Sequence, residues 1–103
     1  MRAWYKANRY ERPGRSYRFT KHADLRANAR RLSRQAVLAV LEFGRRVHTR
    51  GAMICAIGRR EVSRFALRGI DLSEFEGIQV VCDPDGTLIT VYRNRDFSRL
   101  RPK

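Results

Sequence analysis

Two short apolar runs separated by a turn sequence constrain the fold of this chain more than any other feature. Residues 78–82 and 87–92 are rich in β-branched residues, and they flank the sequence DPDG at residues 83–86. Proline suits the second position of a type I turn, and glycine accepts the left-handed conformation that closes a three-residue hairpin loop. The sequence therefore predicts an antiparallel β-hairpin here.

Alternation along these strands assigns their side chains to two faces. One face is expected to carry Ile78, Val80, Cys82, Leu88, Thr90 and Tyr92. The opposite face is expected to carry Val81, Ile89 and Val91, with Gln79 and Arg93 at its rim. Because both faces are largely apolar, the hairpin is predicted to be central in a sheet, with helices covering at least one side.

Two helices are predicted before the sheet. Thr20 is a suitable N-cap for a helix over residues 21–32, and Ser33 for a second helix over residues 34–43 that stops at Gly44. The expected apolar face of the first helix is Leu25, Ala29 and Leu32. The expected buried stripe of the second is Val37, Val40 and Leu41, with Ala36 and Leu38 beside it.

The remaining segments alternate between strand and helix patterns. Residues 45–49 and 53–57 are typical of strands, and residues 16–19 of a short first strand. A third helix is expected over residues 59–68, with Val62, Phe65 and Ala66 on its inner face and Gly69 at its end. An acidic connector with one helical turn follows, over residues 70–77.

These elements predict an α+β fold in which an N-terminal helix pair packs on a small antiparallel sheet of three or four strands. A length of 103 residues implies one domain. We expect that domain over residues 18–94, between a basic, aromatic, partly disordered arm (residues 1–17) and a basic tail (residues 95–103). The arm is interpreted either as an RNA-binding segment or as a tail whose aromatic side chains lean on the core.

Composition excludes several classes of protein. No window approaches the roughly 18 consecutive apolar residues of a membrane span, and no apolar stretch follows the first charged residues as in a secretory signal. A cytoplasmic location is therefore expected. Cys55 and Cys82 lie in apolar runs without metal-ligand spacing, so they are predicted to be buried thiols, with a disulfide between them as the alternative.

The charge is both large and unusual in kind. The formal net charge is +13, and only three of the 23 basic residues, Lys6, Lys21 and Lys103, are not arginine. Arginine matches phosphate geometry and stacks on bases, so the bias favours a nucleic-acid partner. The alternative is a basic protein from an organism whose proteins favour arginine.

Three groups of residues are candidates for catalytic or phosphate-binding roles. His22, Arg26 and Arg30 recur every four residues along the first helix, where a histidine beside guanidinium groups suits proton transfer at a phosphate. Arg59, Arg60 and Glu61 open the third helix, and Arg64 follows on the same stripe. Arginines in a first turn oppose the helix dipole, which makes sense if they hold an anion. The alternative is that these side chains are solvated or cap their helices.

The third group is Tyr92 and Arg93 at the end of the last strand, where they could stack a base and bind a phosphate. The alternative for Tyr92 is ordinary strand packing. No phosphate-binding loop, nucleophile elbow or dinucleotide fingerprint is present in the sequence. No metal and no small-molecule cofactor are expected.

A family resemblance rests on several short motifs. The sequence FTKHA at residues 19–23, then Arg26, RLS at residues 31–33, Val37, Leu41 and Gly44, resembles the start of the bacterial domain of unknown function 4258 family. The sequence ITVYR at residues 89–93 resembles the close of that family. The family is similar to small RelE/BrnT-type toxins, which place helices before an antiparallel sheet and cleave RNA without a metal. The resemblance implies that His22, Arg26, Tyr92 and Arg93 are functional positions.

Together these observations predict an RNA-binding, toxin-like, metal-independent endoribonuclease. A ribose 2′-hydroxyl would attack its own phosphate, with His22 or Glu61 moving the proton and Tyr92 positioning the base. The developing charge would be stabilised by Arg26, Arg59, Arg60 and Arg93. Two alternatives stay open: a non-catalytic nucleic-acid-binding module, and an interaction domain for an acidic, antitoxin-like protein.

Overall fold

A computed structural model of the chain describes residues 9–12 and 15–100, with side chains for residues 16–98 and 100. In chain order the elements are β1 (Arg9–Arg12), β2 (Arg15–Arg18), α1 (Lys21–Ala29), α2 (Arg34–Phe43), β3 (Arg45–Thr49), β4 (Ala52–Ala56), α3 (Arg59–Ala66), β5 (Ile78–Cys82) and β6 (Leu88–Arg93). Short 3-10 turns lie at Ser73–Phe75 and Ser98–Leu100. Strands β1 and β2 form a hairpin, and β3-β4-β5-β6 form an antiparallel sheet in that order.

The α+β class is confirmed, and the order of elements is corrected. A β-hairpin, β1–β2, precedes the helices, so the described chain does not begin with the helix pair. Helix α1 packs on β6, and α2 packs on β4 and β5. The core lies between these helices and one face of the sheet, where Cys55, Val80 and Val91 are fully buried.

The predicted β5–β6 hairpin is present, with one difference in register. The Asp83 N–H donates to the Thr87 carbonyl and the Gly86 N–H donates to the Asp83 carbonyl, each at 2.8 Å. A bulge at Ile89 adds one residue to β6, so Val80 pairs with Val91 and Val81 pairs with Thr90. The expected faces are therefore wrong beyond Ile89. Val91 lies on the core face, and Thr90 and Tyr92 lie on the opposite face.

The hairpin is also not central, because β6 is an edge of the sheet. The other half of the sheet is the β3–β4 hairpin, whose turn consists of two residues only. Arg50 and Gly51 both have positive φ, at 50° and 76°. That combination is typical of a type I′ turn, and it sets β4 one residue earlier than expected.

Helix α2 matches its prediction in bounds and buried face. The Ser33 hydroxyl accepts from the Ala36 N–H at 3.0 Å, and Val37, Val40 and Leu41 are buried. Gly44 ends the helix for a reason other than a left-handed conformation, because its backbone is extended. A Cβ there would lie 2.5 Å from the Val40 carbonyl oxygen and 2.9 Å from that of Ala56.

Helix α1 begins as predicted and then differs. The Thr20 hydroxyl accepts from the Ala23 N–H at 3.1 Å, but the helix stops at Ala29, before Arg31 with its φ of 57°. The expected face is wrong for Leu25, which is 55% exposed, and for Ala29, which is exposed. Ala23 and Ala27 are buried instead. The small side chains of Ala23 and Ala27 let the helix approach the sheet closely. The sequence pattern missed this face because it assigns the larger apolar side chain, leucine, to the buried side.

Helix α3 is shorter than expected and ends at Ala66, which is exposed. Val62 and Phe65 are half-buried as predicted, with the Phe65 ring edge-on to that of Phe43 at a centroid distance of 5.0 Å. The buried residue of this helix is Glu61, a charged side chain that the apolar pattern does not select.

Packing extends across both expected domain boundaries. Tyr17 belongs to the core cluster, and Leu100 is buried. Residues 1–8, which form the first half of the expected arm, and residues 101–103 lie outside the described residues. Among the helices described, none is long and apolar enough to cross a membrane.

Both cysteines are buried free thiols on neighbouring strands, as predicted, and they do not form the alternative disulfide. Cys55 pairs with Val80 and Cys82 with Met53, so both side chains face the core. Burial, with smaller contributions from nearby Cys55 and Asp83, raises the pKa of the Cys82 thiol far above its ordinary value. This thiol is therefore expected to be unreactive at neutral pH.

Candidate nucleic-acid interface

The start of α3 lies at one end of the four-stranded sheet. The Gly77 N–H donates to the Ile57 carbonyl at 2.7 Å, and the Asn94 N–H donates to the Gly77 carbonyl at 2.7 Å. The segment after β4, the start of β5 and the segment after β6 are thereby joined. We refer to this place as the α3 end of the sheet.

Glu61 lies beneath the surface of the α3 end and connects its elements by hydrogen bonds. Its side chain is buried, and its Oε1 accepts from the Gly58 N–H at 2.8 Å. Both carboxylate oxygens accept from Arg45 Nε on β3 at 3.1 Å, and Oε1 also accepts from Arg45 Nη2 at 2.9 Å. All of this hydrogen bonding holds the helix start against the sheet. The geometry therefore favours a positioning role for Glu61 over that of an exposed general base.

Phe97 completes a wall beside this ion pair. The Arg45 guanidinium carbon lies 5.0 Å from the centroid of the Phe97 ring, within the range of a cation–π contact. A Cβ on Gly58 would lie 2.5 Å from the same ring. Glycine at position 58 is thus required by the close approach of Phe97, and its backbone φ of −112° is ordinary.

A groove of about 870 Å³ opens beside this wall, and we call it the arginine groove. Its lining residues are Arg45, Val47, Gly58, Arg59, Arg60, Glu76, Gly77, Arg95, Asp96, Phe97, Ser98 and Leu100. Four of these side chains are arginines and two are acids. Residues from β3, α3 and the segments before β5 and after β6 therefore meet around one concave surface.

The arginines of the groove differ in their state. Arg45 is half-buried and its charge is balanced by Glu61 at 2.9 Å. Arg59, Arg60 and Arg95 are exposed, and within the described side chains no ion pair involves any of them. The first turn of α3 has no side-chain cap, because its N-cap is glycine. Exposed cationic side chains thus stand at the start of α3, on the border of the groove.

The predicted His22 group lies at the other end of the sheet. The Thr20 hydroxyl donates to the Leu88 carbonyl at 2.9 Å, which fixes the start of α1 at the start of β6. The α3 end of the sheet is where β6 finishes, at Arg93. Leu88 and Arg93 pair with Cys82 and Ile78, which are four residues apart on β5, and a strand rises about 3.3 Å per residue, so these two ends of the sheet are about 13 Å apart. The start of α1, which carries His22, and the start of α3, which carries Arg60, therefore lie toward opposite ends of the sheet.

The contacts of α1 further define its candidate residues. Arg26 Nε donates to His22 Nε2 at 3.5 Å on the exposed side of the helix. Arg30 Nη1 donates to the Val91 carbonyl at 3.3 Å. His22 and Arg26 thus form a row on α1, whereas Arg30 lies just beyond the helix and is engaged with the sheet edge.

Tyr92 and Arg93 are close to the α3 end without lining the groove. The Tyr92 hydroxyl donates to Gln79 Oε1 at 3.0 Å, and Gln79 Nε2 donates to the Asn94 carbonyl at 2.8 Å. Arg93 Nη2 donates to the Glu74 carbonyl at 2.8 Å. This arrangement agrees with the packing interpretation of Tyr92.

The structure thus divides the predicted residues and adds others. Arg59 and Arg60 lie in the groove with Glu61 behind them, whereas Arg64 is exposed on α3 outside the lining. The lining residues that the sequence pattern missed are Arg45, Arg95 and Phe97. No local signal marks these three, because only tertiary contacts bring a strand start and a tail segment beside α3.

Two further observations bear on the site. Within the described residues, no group of three or more His, Cys, Asp or Glu side chains is arranged to hold a metal ion. Comparison of the chain with protein-family models, with curated proteins and with solved structures finds no match. The resemblance to the domain of unknown function 4258 family stays a prediction.

Proposed function

We propose that the chain binds single-stranded RNA in the arginine groove, with Arg59, Arg60 and Arg95 contacting phosphates. The observation that carries the proposal is the convergence of these three exposed cations on one concave surface. The fourth arginine, Arg45, is neutralised by Glu61 and acts as part of the wall. The three exposed arginines outnumber the two acidic side chains of the lining, Glu76 and Asp96, and this excess of positive charge favours a polyanion over a neutral ligand.

A single strand suits the groove better than a duplex. Phe97 is half-buried in the wall and is the aromatic member of the lining. Unpaired bases can stack on an aromatic ring, whereas bases within a duplex are stacked on each other. RNA also offers 2′-hydroxyls as hydrogen-bond partners, for which the half-buried Glu76 of the lining is a suitable acceptor.

This proposal does not require the predicted cleavage reaction. His22 lies at the far end of the sheet, and Glu61 is enclosed by Arg45 and the Gly58 N–H. Endoribonuclease activity stays a prediction. RNA binding by the groove does not depend on whether the protein also cleaves RNA.

The first prediction compares two double variants of α3 that remove the same charge. Arg59→Gln with Arg60→Gln removes two groove cations, and Arg64→Gln with Arg68→Gln removes two cations from the same helix outside the groove. We expect the groove variant to bind a fluorescent 12-nucleotide RNA about tenfold or more weakly at low salt. Its log–log salt slope should fall by about 1.4, since each phosphate contact on a single strand contributes about 0.7. Fluorescence anisotropy over a salt series measures both quantities.

Equal losses in the two double variants would contradict the proposal, because they would show that binding depends on total charge alone. The same titration with a DNA strand and with duplex RNA tests the preference for a single RNA strand. Gel analysis of the RNA after incubation tests cleavage separately. Cleavage that is lost in His22→Ala would support the ribonuclease prediction.

A further inference from the structure

We propose that the outer edge of β3 binds an extended acidic peptide, which adds to the sheet as a fifth strand. This inference is independent of RNA binding, because it concerns the backbone of β3 and not the side chains of the groove. It starts from the position of β3 in the sheet. The strand order is β3-β4-β5-β6, so β3 has β4 on one side and no strand on the other.

The register of the β3–β4 hairpin determines which backbone groups face outward. Thr49 and Ala52 close a two-residue turn, and such a closing pair exchanges both of its hydrogen bonds. Bonded pairs alternate along an antiparallel ladder, so Val47 and Arg45 are also bonded to β4. The N–H and C=O groups of Arg46 and His48 therefore point away from the sheet. Among the described residues, none forms a hydrogen bond with these four groups.

The opposite edge of the sheet is partly covered, which sets β3 apart. The outward carbonyl of Val91 on β6 accepts from Arg30, and the carbonyl of Leu88 accepts from the Thr20 hydroxyl. Helix α1 thus covers the β6 edge with side-chain donors. Proteins commonly block exposed edges in this way, and the β3 edge has no such cover within the described chain.

The charges along β3 indicate the chemistry of the partner. Arg46, His48 and Arg50 are all exposed on or beside the open edge. An antiparallel second copy of β3 would bring Arg46 and Arg50 of the two strands close together, and like charges directly opposite are destabilising. A strand that carries Glu or Asp at alternate positions would instead form cross-strand ion pairs. Asp85 borders the same surface but already interacts with Arg18 at 3.9 Å and with the Thr87 N–H at 3.0 Å.

Amide hydrogen exchange of the whole chain, with and without a peptide, tests this proposal directly. The probe is a six-residue peptide, blocked at both ends, in which glutamate and threonine alternate. In the chain alone the Arg46 and His48 amides should exchange quickly, while those of Val47 and Thr49 are protected by the ladder. At saturating peptide, we expect protection of the Arg46 and His48 amides to rise by about tenfold or more. Unchanged exchange at these two amides would overturn the proposal.

Variants and altered peptides separate strand pairing from simple charge attraction. His48→Pro removes one outward N–H and should weaken peptide binding about fivefold or more, since proline is tolerated at an edge when its missing N–H faces solvent. Arg46→Gln should weaken it about two- to fivefold, while Lys21→Gln at the start of α1 removes the same charge at the covered edge and should have no effect.

A peptide with N-methylated central amides and the same charges should not bind. Binding of the methylated peptide as tightly as the parent would overturn the proposal. Urea denaturation of each variant reports whether the fold is intact, and RNA binding measured in parallel distinguishes failure here from failure of the groove. If His48→Pro does not fold, the comparison of the methylated peptide with the parent peptide is sufficient to test the proposal.

Discussion

Gly86 shows how a single residue joins two parts of this molecule. It closes the β5–β6 turn with a φ of 91°, and its carbonyl accepts from the Arg18 N–H at 2.8 Å. A Cβ at this position would collide with the carbonyl oxygen of Ser16. The turn requirement is visible in the sequence, whereas the contact with the N-terminal hairpin is not.

Substitution of two glycines by alanine separates these causes. Gly51→Ala introduces a left-handed alanine into open space and should cost about 1–2 kcal/mol of unfolding free energy. Gly86→Ala adds the collision with Ser16 and should cost more, about 2–4 kcal/mol. Urea denaturation of both variants measures the difference. Equal losses would show that the contact between the β5–β6 turn and the N-terminal hairpin is not a rigid one.

Glu61 illustrates a second residue-scale effect, because a buried carboxylate must be fully paired. Glu61→Gln leaves Arg45 without its counter-ion and should lower the unfolding free energy by about 2–3 kcal/mol. This is less than for a fully buried pair, since a quarter of the Arg45 side chain is exposed. Glu76→Gln, which removes a half-buried acid of the groove, should stay within about 0.5 kcal/mol of the parent. Thermal or urea unfolding of the two variants measures this, and a stable Glu61→Gln would refute the positioning role.

At the scale of elements, α1 is the case in which sequence periodicity misleads. Its buried face consists of Ala23 and Ala27, while Leu25 is exposed. Leu25→Ser should therefore change stability by less than about 0.5 kcal/mol. Ala27→Leu should cost about 1–3 kcal/mol, because a larger side chain would push the helix away from β6. Unfolding curves for the two variants decide between this face and the leucine face; a large loss in Leu25→Ser would favour the latter.

Other elements were predictable because their signals are local. Ser33 and Thr20 cap their helices by side-chain bonds to nearby N–H groups, and the turn at residues 83–86 uses Pro and Gly in their preferred positions. The bulge at Ile89 was not predictable, since nothing in the alternation of β6 marks an extra residue. It moves Tyr92 to the face opposite Val80 and Val91.

At the scale of the whole molecule, the basic charge is divided between two ends of the sheet. One end has the row on α1 that contains His22 and Arg26, and the other has the groove of Arg59, Arg60 and Arg95. The open β3 edge runs beside the groove. This separation is why the structure supports binding surfaces better than one shared catalytic centre, and why the RNA and peptide experiments have independent outcomes.

The sequence by itself determined the α+β class, the turn of the β5–β6 hairpin, two helix starts and the position of Arg59 and Arg60 at a helix N-terminus. Each of these depends on residues within a few positions of one another, through caps, turns and short periodicities. The tertiary structure decided which face of α1 is buried, that Glu61 is held by Arg45, and that Arg95 and Phe97 line the groove. Those outcomes depend on contacts between residues tens of positions apart, and such contacts follow from packing and chain register rather than from any local pattern.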